Sequence, residues 1–231
     1  MTAQSLPSHS TPADLSGLSV ADSDAPRLVF ATANAHKIGE FQAILADHLG
    51  VLPQNLVARM SDFQVNEPVE DGASFTENAL IKARALAEAT GLAAVADDSG
   101  LCVDVMGGAP GIFSARWAGR HGDDQANLDL LLAQLSDVPD RHRSAAFVCA
   151  AALVLPDGTE YVTVGEMTGT LLRERRGCGG FGYDPIFVPT GESVTSAELT
   201  PQRKNAISHR GKALRDLAPR VVDYLSATNQ A

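Results

Sequence analysis

The stretch AAVADDSGL, residues 93–101, decides how the fold is read. The apolar run from Leu92 to Ala96 suits a buried strand, and two carboxylates, Asp97 and Asp98, follow it directly. Acids at the mouth of a buried strand need water, a metal or a charged ligand to satisfy them. A polar site is therefore expected where this strand ends.

Working outward, Ser74-Phe75-Thr76-Glu77 fits a capping box that opens a helix running to about Thr90, with Gly91 placed to end it. Leu28–Ala31 reads as a short strand. The loop TANAHK follows, then a helix in which Ile38, Phe41, Ile44, Leu45 and Leu49 recur at helical spacing. Downstream, Ala126–Leu135 reads as a short amphipathic helix. Ala145–Leu155, a Pro-Asp-Gly turn and Tyr161–Val164 read as an antiparallel hairpin with a longer loop than the tightest kind. Thr200-Pro201 is an N-cap and first-turn pair, and Ser208 caps a helix carrying Leu214, Leu217, Val221 and Leu225. Strands alternate with helices early and pair as a hairpin late, so the expected class is α/β with a mixed sheet.

Composition sets limits on partners. Eighteen Lys and Arg against 28 Asp and Glu leave a formal net charge of −10, which opposes the broad phosphate-backbone footprint of DNA or RNA binding. It leaves room for a nucleotide, because a magnesium ion and a few local cations can hold a polyphosphate against the global charge. Cys102, Cys149 and Cys178 are odd in number and widely spaced, so neither a disulfide framework nor a zinc knuckle is indicated and a reducing cytoplasm fits. The longest apolar run, Ala145–Leu155, falls far short of the ~20 residues of a membrane helix. Residues 1–26, rich in Ser, Pro, Asp and Thr and lacking a secretory signal pattern, read as a disordered tail, with residues 27–231 as one domain.

Four stretches carry candidate chemistry. A loop leaving a strand and entering a helix, as residues 32–37 do, offers backbone N–H groups and a positive dipole end; Lys37 adds a point charge, and Thr32 and Asn34 add neutral donors. Taken alone it reads more readily as a capped turn with a solvated lysine, and no Walker loop exists in the chain. Neighbouring strand residues point to opposite faces. Asp98 is thus taken to serve the site, and Asp97 to pin a turn through Ser99 and Gly100. Glu67 or Glu70, in a loop before a helix, is placed to join Asp98 on a hard cation; the alternative is a solvated acidic loop. The G-x-G-x-x-G in GCGGFGYDP, residues 177–185, precedes no helix, so it is not a dinucleotide fingerprint. Glycines flanking Phe181 and Tyr183 suggest backbone bent around a flat ligand, with Asp184 as acceptor, or else a glycine-rich turn with core aromatics. In KNAISHRGKAL, residues 204–214, Lys204, His209 and Arg210 bring donors to a helix start, as a phosphate or keto-oxygen site or as surface decoration.

Taken in order, TANAHK, EPVEDG with SFTENA, ADDSGLCVDVMGGAPGIFSARWAG, GGFGYDPIF and AISHRGKAL resemble the inosine triphosphate pyrophosphatase family, over about Leu28 to Leu225. The resemblance implies an elongated mixed α/β fold with a cleft between two lobes. It implies hydrolysis of dITP, ITP, XTP and dXTP to monophosphate and pyrophosphate with magnesium, in a cytoplasmic homodimer. By position, Thr32, Ala33, Asn34, Ala35, His36 and Lys37 would bind the triphosphate. Glu70 and Asp98 would hold the metal, Asp98 also accepting the proton. Ser99, Phe181, Gly182, Tyr183, Asp184, Lys204, His209 and Arg210 would line the nucleotide site. Ala33 departs from the pattern, where glycine is common.

Attack at the α-phosphorus asks for an activated water, a metal on the phosphate oxygens and cations to receive pyrophosphate. Asp98, Glu70 and Mg2+ match the first two, and Lys37 and Lys204 the third. Selection of a 6-keto purine is expected from donors near Arg210 or from backbone N–H groups near Phe181. Two rival readings are a nucleotide-sensing module without chemistry and the related septum-formation-inhibitor type of pyrophosphatase.

Overall fold

The computed structural model describes residues 26–32, 35–50, 56–63 and 65–228, with the side chains of Ala35 and His36 outside the description. The tail expected over residues 1–26 lies, Pro26 apart, outside the described residues.

Six strands, Leu28–Phe30 (β1), Val57–Arg59 (β2), Ala93–Val103 (β3), Ser144–Val154 (β4), Glu160–Leu171 (β5) and Phe187–Pro189 (β6), form one sheet in the order β2-β1-β3-β4-β5-β6. β1 pairs parallel with β2 and β3, and every later pairing is antiparallel. The helices are Ala35–Leu49 (α1), Phe75–Thr90 (α2), Asp124–Gln134 (α3), Pro201–Ile207 (α4) and His209–Ala227 (α5). The mixed α/β class is as expected.

Chain order distributes the helices. The path steps outward from β1 to β2 and then back past β1 to β3, and right-handed crossovers place α1 and α2 on opposite faces. Packing follows: Leu28, Phe30 and Val95 lie with Phe41 and Leu45 of α1 and Leu214, Leu217 and Val221 of α5. Val29, Ala94 and Ala96 lie with Ala79, Ala83 and Leu86 of α2. A third core beyond them joins Leu101, Val103 and Phe147 to Leu128 and Leu131 of α3 and to Ile186 and Phe187. The long strands β3 and β4 run from the first two cores into the third.

Three expectations change. β3 does not stop before the acids but carries them at its centre, because β4 pairs with it continuously from Ala94↔Val154 to Val103↔Ala145. The turn expected at Ser99-Gly100 is therefore strand. β5 extends past Val164 to Leu171, since β4 offers pairing partners as far as Ser144↔Thr170. In α2 the cap is shared differently from a standard box: Ser74 Oγ accepts the Glu77 N–H at 3.1 Å, while Glu77 Oε2 accepts the Ala73 N–H at 2.6 Å. The expected caps Thr200 and Ser208 both form, accepting from Arg203 N–H and Gly211 N–H.

Candidate active site

β3 outruns β1. Their pairing ends at Phe30↔Val95, and Ala31 N–H makes a last bond to Val95 O at 2.8 Å before the chain leaves for α1. Main-chain groups on one edge of a strand recur every second residue, and further along this edge Leu101 N–H is taken by Ser114 Oγ at 2.9 Å and Val103 N–H by Ala109 O at 3.0 Å. Residues 97–99 lie between these two coverings. This is the crevice outside the carboxyl end of a switch-point strand, where open α/β sheets bind ligands.

Strand alternation then sends the two acids apart. Asp97 follows the parity of Val95 and points to the α1 and α5 face, where Lys37 Nζ lies 3.0 and 3.1 Å from its two oxygens and Arg210 Nε 3.0 Å from Oδ2. Its side chain is 1% exposed. Burial opposes ionisation, but the charges of Lys37 and Arg210 overcome it and hold the carboxyl well below the usual range. Arg210 also donates to Ser99 Oγ at 3.3 Å.

Asp98 follows Ala96 onto the α2 face. It accepts from Asn78 Nδ2 at 3.2 Å and from Lys82 Nζ at 3.0 Å, and the same ammonium lies 3.3 Å from Glu70 Oε1. Burial raises the Asp98 pKa, Lys82 opposes the rise and Glu70 adds to it. Asn78, fully buried, also accepts the Gly72 N–H at 2.9 Å, which fastens the loop carrying Glu70 to the helix that orients Asp98. Among the described residues no group of three or more His, Cys, Asp or Glu side chains is arranged to hold a metal. Two carboxylates do converge on one cation, which matches magnesium's habit of using one or two carboxylates plus substrate phosphates.

A cleft of about 340 Å³ opens from the strand edge. Lys37, Ser99, Phe181, Gly182, Tyr183, Asp184, Lys204, His209 and Arg210 all line it, as do Glu40, Ser114 and Asn127. Phe181 is 59% exposed with Lys204 Nζ 5.2 Å above its ring, a free aromatic face at the lip. Its loop is pinned: Phe181 N–H donates to Asp184 Oδ2 and Gly182 N–H to Asp124 Oδ2, both at 2.9 Å. Gly180, at φ +72°, passes so close to Asp184 that a Cβ would collide with its carboxylate. His209 lies flat on Phe147, ring centres 5.1 Å apart. Burial, reinforced by Arg210, pulls its pKa down to about 3, so the ring is neutral, and its buried Nδ1 has no hydrogen-bond partner among the described residues. Gly165 of β5 lets the start of α5 rest on the sheet, since a Cβ there would strike the His209 carbonyl.

The sequence-predicted residues thus divide. The cleft gathers nine of them, whereas Asp98 and Glu70 stand around the strand edge on the α2 face. Ala33 and Asn34, and the side chains of Ala35 and His36, lie outside the described residues; Thr32 is buried at the end of β1. Glu67 contacts neither Asp98 nor Lys82 by any bond seen here. Tyr183 is not a stacking face: it is buried in the third core, its hydroxyl donating to Ser114 O at 2.9 Å. Lys204 pairs with Asp184 beside the aromatic lip, so the cations at the acids are Lys37, Lys82 and Arg210. His209 and Arg210 are buried and not surface decoration.

Lys82, Asn78 and Glu40 were missed. Lys82 and Asn78 lie four residues apart on one face of α2, and the crossover rule puts that helix over Asp98. That was the available signal. Glu40 is one turn beyond Lys37, half-buried beside Arg210 and Ser208, with its pKa raised by burial.

Fold and site together define a mixed α/β protein with cations grouped beside two acids at a sheet edge and an aromatic ring at the mouth of a cleft. The Ham1 family profile matches residues 28–220, and the chain belongs to that family. It is 64% identical over 199 residues to the dITP/XTP pyrophosphatase of Streptomyces coelicolor, covering 86% of this chain and 98% of that one. It is 57% identical over 203 residues to the enzyme of the same name from Corynebacterium efficiens, covering 85% and 98%. Among solved structures it resembles a nucleoside-triphosphatase / dITP/XTP pyrophosphatase from Mycobacterium abscessus (TM-score 0.70, 52% identity, 83% and 98% covered). It also resembles a HAM1 protein from Coxiella burnetii (TM-score 0.77, 40% identity, 86% and 99% covered). The resemblance to the inosine triphosphate pyrophosphatase family, drawn from five motifs, agrees with these matches.

Proposed function

We propose that this protein hydrolyses the deaminated purine nucleoside triphosphates dITP, ITP, XTP and dXTP to the monophosphate and pyrophosphate, clearing them from the nucleotide pool. The observation that carries the reading is the adjacent pair Asp97 and Asp98: one acid organises Lys37 and Arg210 at the cleft, and the other, with Glu70, faces a single cation around the edge.

Glu70 and Asp98 would hold Mg2+, which supplies charge neutralisation on the phosphate oxygens. Asp98, made more basic by burial, accepts the proton of the attacking water. Lys37 and Lys82 receive the charge that builds on departing pyrophosphate. The base enters the cleft against Phe181, with Arg210 and the neutral His209, which line it, as the donors proposed for the 6-keto oxygen. The N–H groups of Phe181 and Gly182 are spent on Asp184 and Asp124 and are not available for this. Adenine presents an amino group at that position, and a site built to pair a substrate polar group rejects an analogue without it by ~10⁴ or more.

Residues 27–231 act as one domain, in a cytoplasmic homodimer with no nucleic-acid or membrane partner. No described helix is long and apolar enough to cross a membrane. The test is to supply the protein and Mg2+ with ITP, XTP, dITP, GTP, ATP and TTP and measure pyrophosphate and orthophosphate separately. Pyrophosphate from the 6-keto deaminated purines with little from ATP and TTP is expected. Orthophosphate as the direct product overturns attack at the α-phosphorus.

A further inference from the structure

Lys82 carries a consequence that the proposed reaction does not require. Its ammonium lies 3.0 Å from Asp98 Oδ1 and 3.3 Å from Glu70 Oε1, so it occupies the point on which the two carboxylates converge. Its side chain is 16% exposed, Asp98's is 14% and Glu70's is 34%, so water screens this triad only in part. Burial penalises the lysine's charge, yet Asp98 and Glu70 more than compensate and raise its pKa. The lysine is held there by the fold as well as by charge, because its α2 neighbour Asn78 is locked to Asp98 and to Gly72.

We propose that Lys82 is a built-in counter-cation that competes with the divalent ion for Glu70 and Asp98, so that free metal binds weakly until a polyphosphate is present to accept the ammonium. A divalent cation cannot share the pair with Lys82 at contact distance, since like charges in a partly desolvated site repel strongly. Removing the lysine therefore leaves two neighbouring acids without their cation, a pair that a divalent ion neutralises. This inference rests on the reading of Glu70 and Asp98 as metal ligands.

The test measures Mn2+ binding to the full chain without nucleotide, by electron paramagnetic resonance of free Mn2+, for wild type, Lys82→Met, Lys82→Arg and Asp98→Asn. Lys82→Met is expected to bind Mn2+ about tenfold or more tightly than wild type, because a repelling charge near the ion is gone. Lys82→Arg, which keeps the charge, is expected to stay near wild type. As a second readout, Mn2+ raises the melting temperature of Lys82→Met more than that of wild type. If Asp98→Asn loses Mn2+ binding while Lys82→Met binds no tighter than wild type and gains no extra thermal stabilisation, the counter-cation role is overturned and the metal site stands. If Asp98→Asn binds Mn2+ as wild type does, the metal site itself is wrong and the inference falls with it.

Discussion

Replacing Asp97 by Asn removes the one carboxylate that serves two cations. Lys37 and Arg210 both bond to it from different helices, and its side chain is almost wholly buried. Asn keeps the shape and one acceptor oxygen but leaves the two positive charges uncompensated. Breaking a buried pair by removing one partner costs about 3–5 kcal/mol. For a chain of this size that corresponds to a melting temperature lower by about 6–20 °C. The sign of the pH dependence follows from the direction of the shift: Asp97 has a depressed folded pKa, so its stabilisation is fully present above the unfolded value of about 4 and is lost as pH falls through the folded one. Urea unfolding of wild type and Asp97→Asn at 25 °C therefore shows a gap that is constant above about pH 5 and shrinks below about pH 4 by up to about 1.4 kcal/mol per pH unit. A gap under about 1 kcal/mol at pH 7, or one unchanged down to pH 3, would refute the assignment of Asp97 as the common counter-ion.

Asp98→Asn is expected to lower kcat by about 10²–10⁴ while ITP still binds, checked by steady-state kinetics beside calorimetric titration. Phe181→Ala loses a stacking face worth about 1–3 kcal/mol and so weakens ITP binding by about 5- to 150-fold, with kcat moved less; equal loss from kcat alone would point to a structural role. His209→Asn is expected to narrow the ITP over ATP preference. It also flattens the acid limb of stability, because a histidine held neutral with a pKa near 3 costs stability as pH falls from about 6.5, where the unfolded state takes up the proton first. Unfolding free energies at pH 7 and pH 5 for both proteins check this: wild type loses more between the two than the variant does.

Much of the frame was legible because local chemistry and tertiary packing agree there. The period-two rule separated Asp97 from Asp98 before any contact was known, and Ser74, Gly91, Thr200 and Ser208 punctuate their helices as their residue types require. The continuation of β3 past the acids was not legible, since the partner that sustains it, β4, lies some fifty residues away and charged residues at a strand centre contradict local propensity. Tyr183 and Phe181 are alike by residue type, and only packing decides that one hydroxyl reaches Ser114 while the other ring stays exposed beneath Lys204. The Arg210 pairing was hidden for a similar reason: it joins positions 113 apart in sequence.

Two adjacent acids on a strand cannot meet one ligand from one face, which is why the strand edge matters. Among the described residues no strand pairs with residues 97–99 on the β1 side, so in the proposed reaction a polyphosphate across that edge would meet the Lys37 and Arg210 side and the Asp98, Glu70 and Lys82 side together. The opposite pKa directions of the pair are the electrostatic trace of that division. Asp97, lowered, is bound into the fold and contributes stability at neutral pH; Asp98, raised, is a carboxylate whose ionisation burial resists, which suits the proton-accepting role proposed for it. Neutralising the first therefore loosens the fold with its cations. Neutralising the second removes the carboxylate proposed to take the proton and leaves Lys82 paired with Glu70 alone.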